Sequence, residues 1–168
     1  DKQHWPARSV GKGKDSIPAV RAAALDPDLK SPAGGIDEIN RLLNARYHLV
    51  ITNVPYLARG KHNDSLKDYC EAHYTEAKND LANVILERCM ELTIEQEGNV
   101  GVGSVQIVMP QNWLTQSTYK AQREDLLARV TWNLLARLGP GAFETIGGEV
   151  VQAVLLTQTV AKPRSNAL

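Results

Sequence analysis

The apolar run that begins at His48 and continues Leu-Val-Ile-Thr stops abruptly at Asn53-Val54-Pro55-Tyr56, and this stop constrains the chain more than any other stretch. A short β-branched apolar run reads as a buried strand. Pro55 has no N–H to give to a ladder, so the run cannot continue as a central strand. A polar amide, a stiff Pro and an exposed aromatic are thereby left at the strand's carboxyl end. In open α/β sheets that end is where ligands bind.

The remaining sequence supplies what such a strand needs. At 168 residues the chain buries one ordinary core, enough for one domain or a piece of one. It is 43% hydrophobic and 23% charged, the profile of a soluble globular protein. No apolar run is long enough to span a membrane and no signal peptide opens the chain, so a cytoplasmic location is expected. Nineteen basic residues balance nineteen acidic ones, so any attraction to nucleic acid has to come from local clustering. Cys70 and Cys89 are too few for a disulfide framework. The chain begins with Asp1 rather than Met, which points to a processed protein or, preferably, a fragment.

In order along the chain, residues 1–35 form an irregular lead-in punctuated by Pro6, Pro18, Pro27 and Pro32, with one helical turn expected near Val20–Leu25. Lys12-Gly13-Lys14 lacks the spacing of a phosphate loop and reads as a solvated basic loop. Ile36, Ile39, Leu42 and Leu43 predict an amphipathic helix whose start is set by Gly34-Gly35. A helix leading into a buried strand is one unit of a βαβ sheet. Leu57–Thr75 is a long polar passage of the kind that is usually functional or mobile.

Glu76–Leu92 is the clearest helix, with Ala77, Leu81, Val84, Ile85 and Cys89 on one face. Val105–Met109 is a second buried strand, ending at Pro110-Gln111-Asn112. If the two strands are parallel, both polar ends lie on one edge of the sheet. Thr115–Val130 is another amphipathic helix, and Trp132–Leu138 and Glu149–Gln158 are two last strands. The connection between these is short and helix-free, so they should pair antiparallel. Ala161–Leu168 reads as a tail.

Asn53-Val-Pro-Tyr56, Lys78-x-Asp80-Leu81, Val108-Met-Pro110-Gln-Asn-Trp113-Leu114, Tyr119 with Arg123, and Leu138-Gly-Pro-Gly-Ala-Phe143-Glu-Thr-Ile follow one another in order. This series resembles the second half of an adenine-specific DNA methyltransferase. More narrowly, it resembles the PglX-type methylases of BREX phage-defence systems and the related restriction–modification methylases, over residues 44–158. The resemblance implies an α/β, partial Rossmann-like methyltransferase sheet with helices on both faces and an antiparallel final strand pair. Residues 36–160 would be the C-terminal half of the catalytic domain, and residues 161–168 the tail.

The chemistry implied by the resemblance suits these residue types. Adenine's exocyclic amine is a poor nucleophile because its lone pair is delocalised into the ring. In the family, the motif's Asn side-chain oxygen and the next residue's carbonyl accept both amine hydrogens; here those are Asn53 and Val54. Pro55 biases Val54 toward an extended conformation. Tyr56 would stack on the extruded base, and Phe143 would form a second aromatic wall. Orientation and hydrogen bonding do the work, with no metal.

Two departures matter. Relatives mostly carry Pro where this chain has Val54. The family's Gly-rich turn for S-adenosylmethionine is also absent from residues 1–47. The chain therefore reads as a fragment with the target-base half of the site, inactive alone, with double-stranded DNA and other phage-defence proteins as partners. The alternative is a non-catalytic DNA-binding or assembly subunit of methyltransferase-like fold.

Ordinary structural roles compete at several positions. Tyr56 can be a half-buried packing residue and Phe143 a loop anchor. Asp80 suits a helix N-terminus rather than a catalytic acid, and Lys78 and Arg123 suit solvated helix faces. Cys70-x-x-His73 has no second pair of ligands for zinc, while Cys89, Trp113 and Trp132 read as core.

Overall fold

The computed structural model of the chain describes residues 32–94, 102–139 and 152–163. The turn expected at Val20–Leu25 and the loop holding Phe143 lie outside the described residues, as does most of the tail. The chain divides into two units, Asp1–Asn44 and Ala45–Leu168.

The first unit contains one described helix, α1 (Pro32–Asn44). It starts before the Gly34-Gly35 pair that the sequence sets as its boundary. Pro32 explains the earlier start: at the first helical position its missing N–H has no intrahelical partner to lose. Arg41 pairs with Glu38 one turn away at 2.6 Å.

The second unit runs β1 (Leu49–Asn53), α2 (Asp64–His73), α3 (Leu81–Glu91), β2 (Ser104–Pro110), α4 (Lys120–Arg129), β3 (Thr131–Gly139) and β4 (Ala153–Thr159). Short 3-10 turns occur at Arg59–Lys61, Asn112–Leu114 and Ser117–Tyr119. The strands form one sheet in the order β1-β2-β4-β3. β1 and β2 are parallel, with Asn53 level with Val108. β4 runs antiparallel to both β2 and β3, so the last two strands pair as their short connection requires. The carboxyl ends of β1, β2 and β3 consequently share one edge of the sheet.

One face of the sheet carries the core. Val105, Ile107 and Met109 of β2 and Val154 and Leu156 of β4 are buried there with Leu86 of α3, Leu126 of α4, Trp113 and Tyr119. Burying a side chain of Leu or Ile size is worth roughly 1.5–3 kcal/mol, so this set dominates the unit's stability. Cys70, Tyr74, Ala77 and Val84 form a second small cluster that seats α2 on α3.

Further expectations from the sequence are corrected, among them the helix assigned to Thr115–Val130, which begins at Lys120 after a 3-10 turn at Ser117–Tyr119. The first strand is not buried on both faces: Val50 packs on the core, while Leu49 and Ile51 are 54% and 64% exposed. β1 is an edge strand of the described sheet. The polar passage 57–75 contains a helix, α2, capped by the Asn63 side chain, which accepts from Leu66 N at 2.9 Å. The helix assigned to Glu76–Leu92 begins at Leu81, because Asp80 caps it there.

The end of α3 returns beside the start of β1. Tyr47 N donates to Leu92 O, Ile94 N to Tyr47 O, and Gly103 N to Ile94 O. Gly103 is required at this crossing. A Cβ there would collide with Thr93 Cβ and stand 2.9 Å from both Ile94 N and Tyr47 O. Gly103→Ala should therefore cost about 1–3 kcal/mol, read as a lower urea midpoint with an unchanged slope. An unchanged midpoint would contradict this packing.

Candidate active site at the carboxyl edge of the sheet

Asn53 is the last residue of β1 and is exposed. Among the described residues its carboxamide makes no hydrogen bond, so both its oxygen and its amide face no internal competitor. Val54 turns inward and is 5% exposed, part of the main core. Pro55 is exposed again. Tyr56 is half-buried against the core rather than fully exposed, and burial pushes its phenol pKa up. The sequence places a stop here, and the structure gives it an in–out alternation with the amide at the surface.

The chain after Tyr56 is tied down rather than loose. Leu57 O accepts from Leu81 N at 2.9 Å, at the start of α3. His62 Nε2 lies 2.8 Å from the same carbonyl, which can only accept, so this nitrogen is the protonated one. Arg59 N donates to Asn79 O at 2.9 Å, and Ala58 bridges to Asp80. Asp80 is buried and its carboxylate accepts from Ala82 N at 2.9 Å. It is a helix cap, the structural role open to it from the sequence.

Charges on this side are largely matched. Arg59 and Lys78 both hold Glu71. Lys78 above all, with Arg59 behind it, keeps the Glu71 carboxyl below the usual carboxylate range. Lys78 is thus held by a carboxylate rather than merely solvated. Arg123 is likewise engaged, donating to Gln116 O at 2.7 Å and to Trp113 O. It braces the two 3-10 turns that follow β2.

The end of β2 lies beside that of β1. Past Pro110, Gln111 N donates to Gln152 O at 2.9 Å and the two Gln side chains bond to each other. Arg137, near the end of β3, donates from Nε to Gln111 Oε1 at 3.0 Å. The sequence reading missed Arg137 and His62. Neither carries a local signal, because each acquires its partner only through the fold. Phe143 lies outside the described residues.

Cys70 and Cys89 are both buried, and burial raises both thiols, Cys89 to about 11. The His73 ring rests 4.5 Å from that of Tyr69. No group of three His, Cys, Asp or Glu side chains that could hold a metal occurs among the described residues. No described helix is long and apolar enough to cross a membrane.

This architecture is that of a class of α/β methyltransferases. It matches a candidate class I S-adenosylmethionine-dependent methyltransferase from Listeria monocytogenes with a TM-score of 0.55 at 14% identity, over 76% of this chain and 37% of that one. A modification subunit of a candidate type I restriction enzyme from Vibrio vulnificus YJ016 matches with a TM-score of 0.52 at 17% identity, over 70% and 24%. At those identities the likeness is one of fold.

The sequence narrows the class. The profile of the Eco57I restriction-modification methylases matches residues 15–140, and the chain belongs to that family. It is 35% identical over 114 residues to the adenine-specific methyltransferase PglX of Lacticaseibacillus casei strain Zhang, and 33% identical over 111 residues to the adenine-specific methyltransferase BrxX of Escherichia coli O9:H4 strain HS. These alignments take in 68% and 66% of this chain but 9% of each relative, so the chain spans a small part of their length.

Asp80 ties the α3 cap to the segment behind Tyr56, and its substitution has a measurable signature. Asp80→Ala should cost about 1 kcal/mol, whereas Asp80→Asn, which keeps an acceptor oxygen, should cost much less. Thermal unfolding of the two variants decides it; equal losses would deny the carboxylate its capping role.

Proposed function

We propose that the chain is the target-base half of a site-specific, adenine-specific DNA methyltransferase. The observation that carries this reading is Asn53: an exposed carboxamide at the carboxyl end of a parallel strand, followed by a turn whose next side chain is buried. Family membership supports it. Double-stranded DNA is the substrate, a flipped adenine the reacting base and phage defence or restriction–modification the setting. The location is cytoplasmic, and other defence proteins would be partners.

In this reading the Asn53 side-chain oxygen and the Val54 carbonyl accept the two hydrogens of the adenine amine. That holds the nitrogen lone pair out of conjugation and directed at the incoming methyl carbon. Pro55 keeps Val54 extended, and Tyr56 and Phe143 sandwich the base. Tyr56 meets the requirement in part, since its packing against the core fixes the ring.

S-adenosylmethionine supplies the methyl group. None of this chain's described residues forms the Gly-rich strand–helix turn that would cradle it, and residues 1–47 contain no such turn in sequence. In this reading the cofactor is held by sequence outside these residues. The same absence favours the alternative of a non-catalytic DNA-binding or assembly subunit, which one experiment separates.

In the complete gene product, Asn53→Ala should lower transfer of labelled methyl to DNA by at least about a hundredfold, while circular dichroism stays unchanged. Methylation near the wild-type level would refute the assignment, and a complete protein with no transferase activity would favour the non-catalytic subunit. The 168-residue chain alone should give no transfer; robust methylation by it would overturn the fragment reading.

A further inference from the structure

Resting on the methylase reading above, we propose that Arg137 binds a backbone phosphate of the DNA strand that carries the target base. Three observations converge on it. The first is place. Arg137 lies near the carboxyl end of β3, on the same edge of the sheet as Asn53. Its Nε is held 3.0 Å from Gln111 Oε1, directly past the end of β2, the strand beside β1. Arg137 pairs with Val154 of β4, which pairs with Met109, one residue past the Asn53 level in the order β1-β2-β4-β3. It therefore stands three strand spacings from Asn53, roughly 14 Å, a span of a few nucleotides of backbone.

The second observation is charge. Of the other described arginines, Arg41, Arg59, Arg88 and Arg129 each pair with a carboxylate, and Arg123 is engaged by backbone carbonyls. Arg46 precedes β1 and so lies at the opposite edge. Arg137 is exposed and has no carboxylate partner among the described residues. An exposed arginine at this edge with no carboxylate partner among the described residues is a place for an anion.

The third is preorganisation. Gln111 is itself fixed by Gln152 through both backbone and side chain. The brace uses the Nε donor and leaves the donors on Nη1 and Nη2 for a ligand. That pair matches two oxygens of one phosphate, the bidentate geometry for which Arg is suited and Lys is not. A long side chain otherwise loses rotamer freedom on binding, and the brace removes part of that cost beforehand. Phosphate contacts of this kind set the register of the duplex without reading sequence.

The test uses the complete protein and fluorescently labelled duplexes, with affinity followed from about 50 to 200 mM salt. Arg137→Gln should weaken binding roughly fivefold to tenfold on every duplex and lower the slope of log affinity against log salt by about 0.9. Arg137→Lys should keep most of the slope. Gln111→Leu, which removes the brace but not the charge, should weaken binding with the slope intact.

An unchanged slope in Arg137→Gln overturns the proposal. So does a loss confined to one target sequence, which would make Arg137 a reader of bases. Asn53→Ala on the same duplexes keeps the two levels apart: normal methylation there defeats the methylase reading itself. Altered methylation in Asn53→Ala with an unchanged slope in Arg137→Gln defeats only the phosphate contact.

Discussion

Parallel pairing of β1 with β2 is the constraint on which the rest of the second unit depends. Two parallel strands cannot be joined by a tight turn, so the chain must leave the carboxyl end of β1 and return to the amino end of β2. α2 and α3 make that return. The pairing also puts the ends of both strands on one edge, and the antiparallel insertion of β4 between β2 and β3 brings the end of β3 there too. Asn53, Gln111 and Arg137 come from separate stretches of sequence. They share an edge because three strands point the same way.

A site at such an edge is only as fixed as the helix behind it. α3 is held to the sheet by Leu86 and Met90 and to α4 by a polar chain. Asn83 Nδ2 donates to Gln122 Oε1 at 2.7 Å, and Gln122 Nε2 donates to Glu87 Oε1 at 3.0 Å. Glu87 in turn holds Arg129, which also takes Asp125. Burial works against the Arg129 charge, and the two carboxylates more than offset it. Asn83 and Gln122 are fully buried, and losing either partner would strand the other at a cost of about 1–3 kcal/mol. The chain therefore specifies how α3 sits against α4. Through Leu81 N and Asp80 it also specifies where residues 57–59 sit.

The strands and α3 were legible because each carries its own period or its own stop; α4 was legible too, but from Thr115 instead of Lys120. Val105–Met109 alternates against the core as written, and Pro110 ends it. The first strand shows where local pattern fails: whether Leu49 and Ile51 are covered depends on what lies over the second face, which no residue of the run encodes. α2 is a different failure. Leu66, Cys70 and Tyr74 recur at helical spacing behind an Asn63 cap, so the signal was present, but the charged residues between them concealed it. Asp80 was read correctly as a helix-terminal residue, and its cap then explained why the helix starts at Leu81. Arg137 could not be found at all from the sequence. Its distinction is the brace from Gln111 with no carboxylate partner among the described residues, which is a property of the packed unit.

Val54 is where fold and proposed chemistry depend on the same side chain. A Pro at this position would restrict the turn through its ring; Val has no such restraint. The structure supplies two others. Pro55 disfavours the helical region for the residue before it, and burial of the Val54 side chain adds roughly 1.5 kcal/mol against any rotation that would withdraw it from the core. The exposed neighbours Asn53 and Pro55 then follow from strand alternation, since an inward residue forces its flanks outward. Packing of the Val54 side chain and the extended bias from Pro55 together restrain the backbone at this position, on whose carbonyl the methylase reading places one of the two amine contacts. A smaller residue at position 54 would keep that carbonyl but loosen its aim.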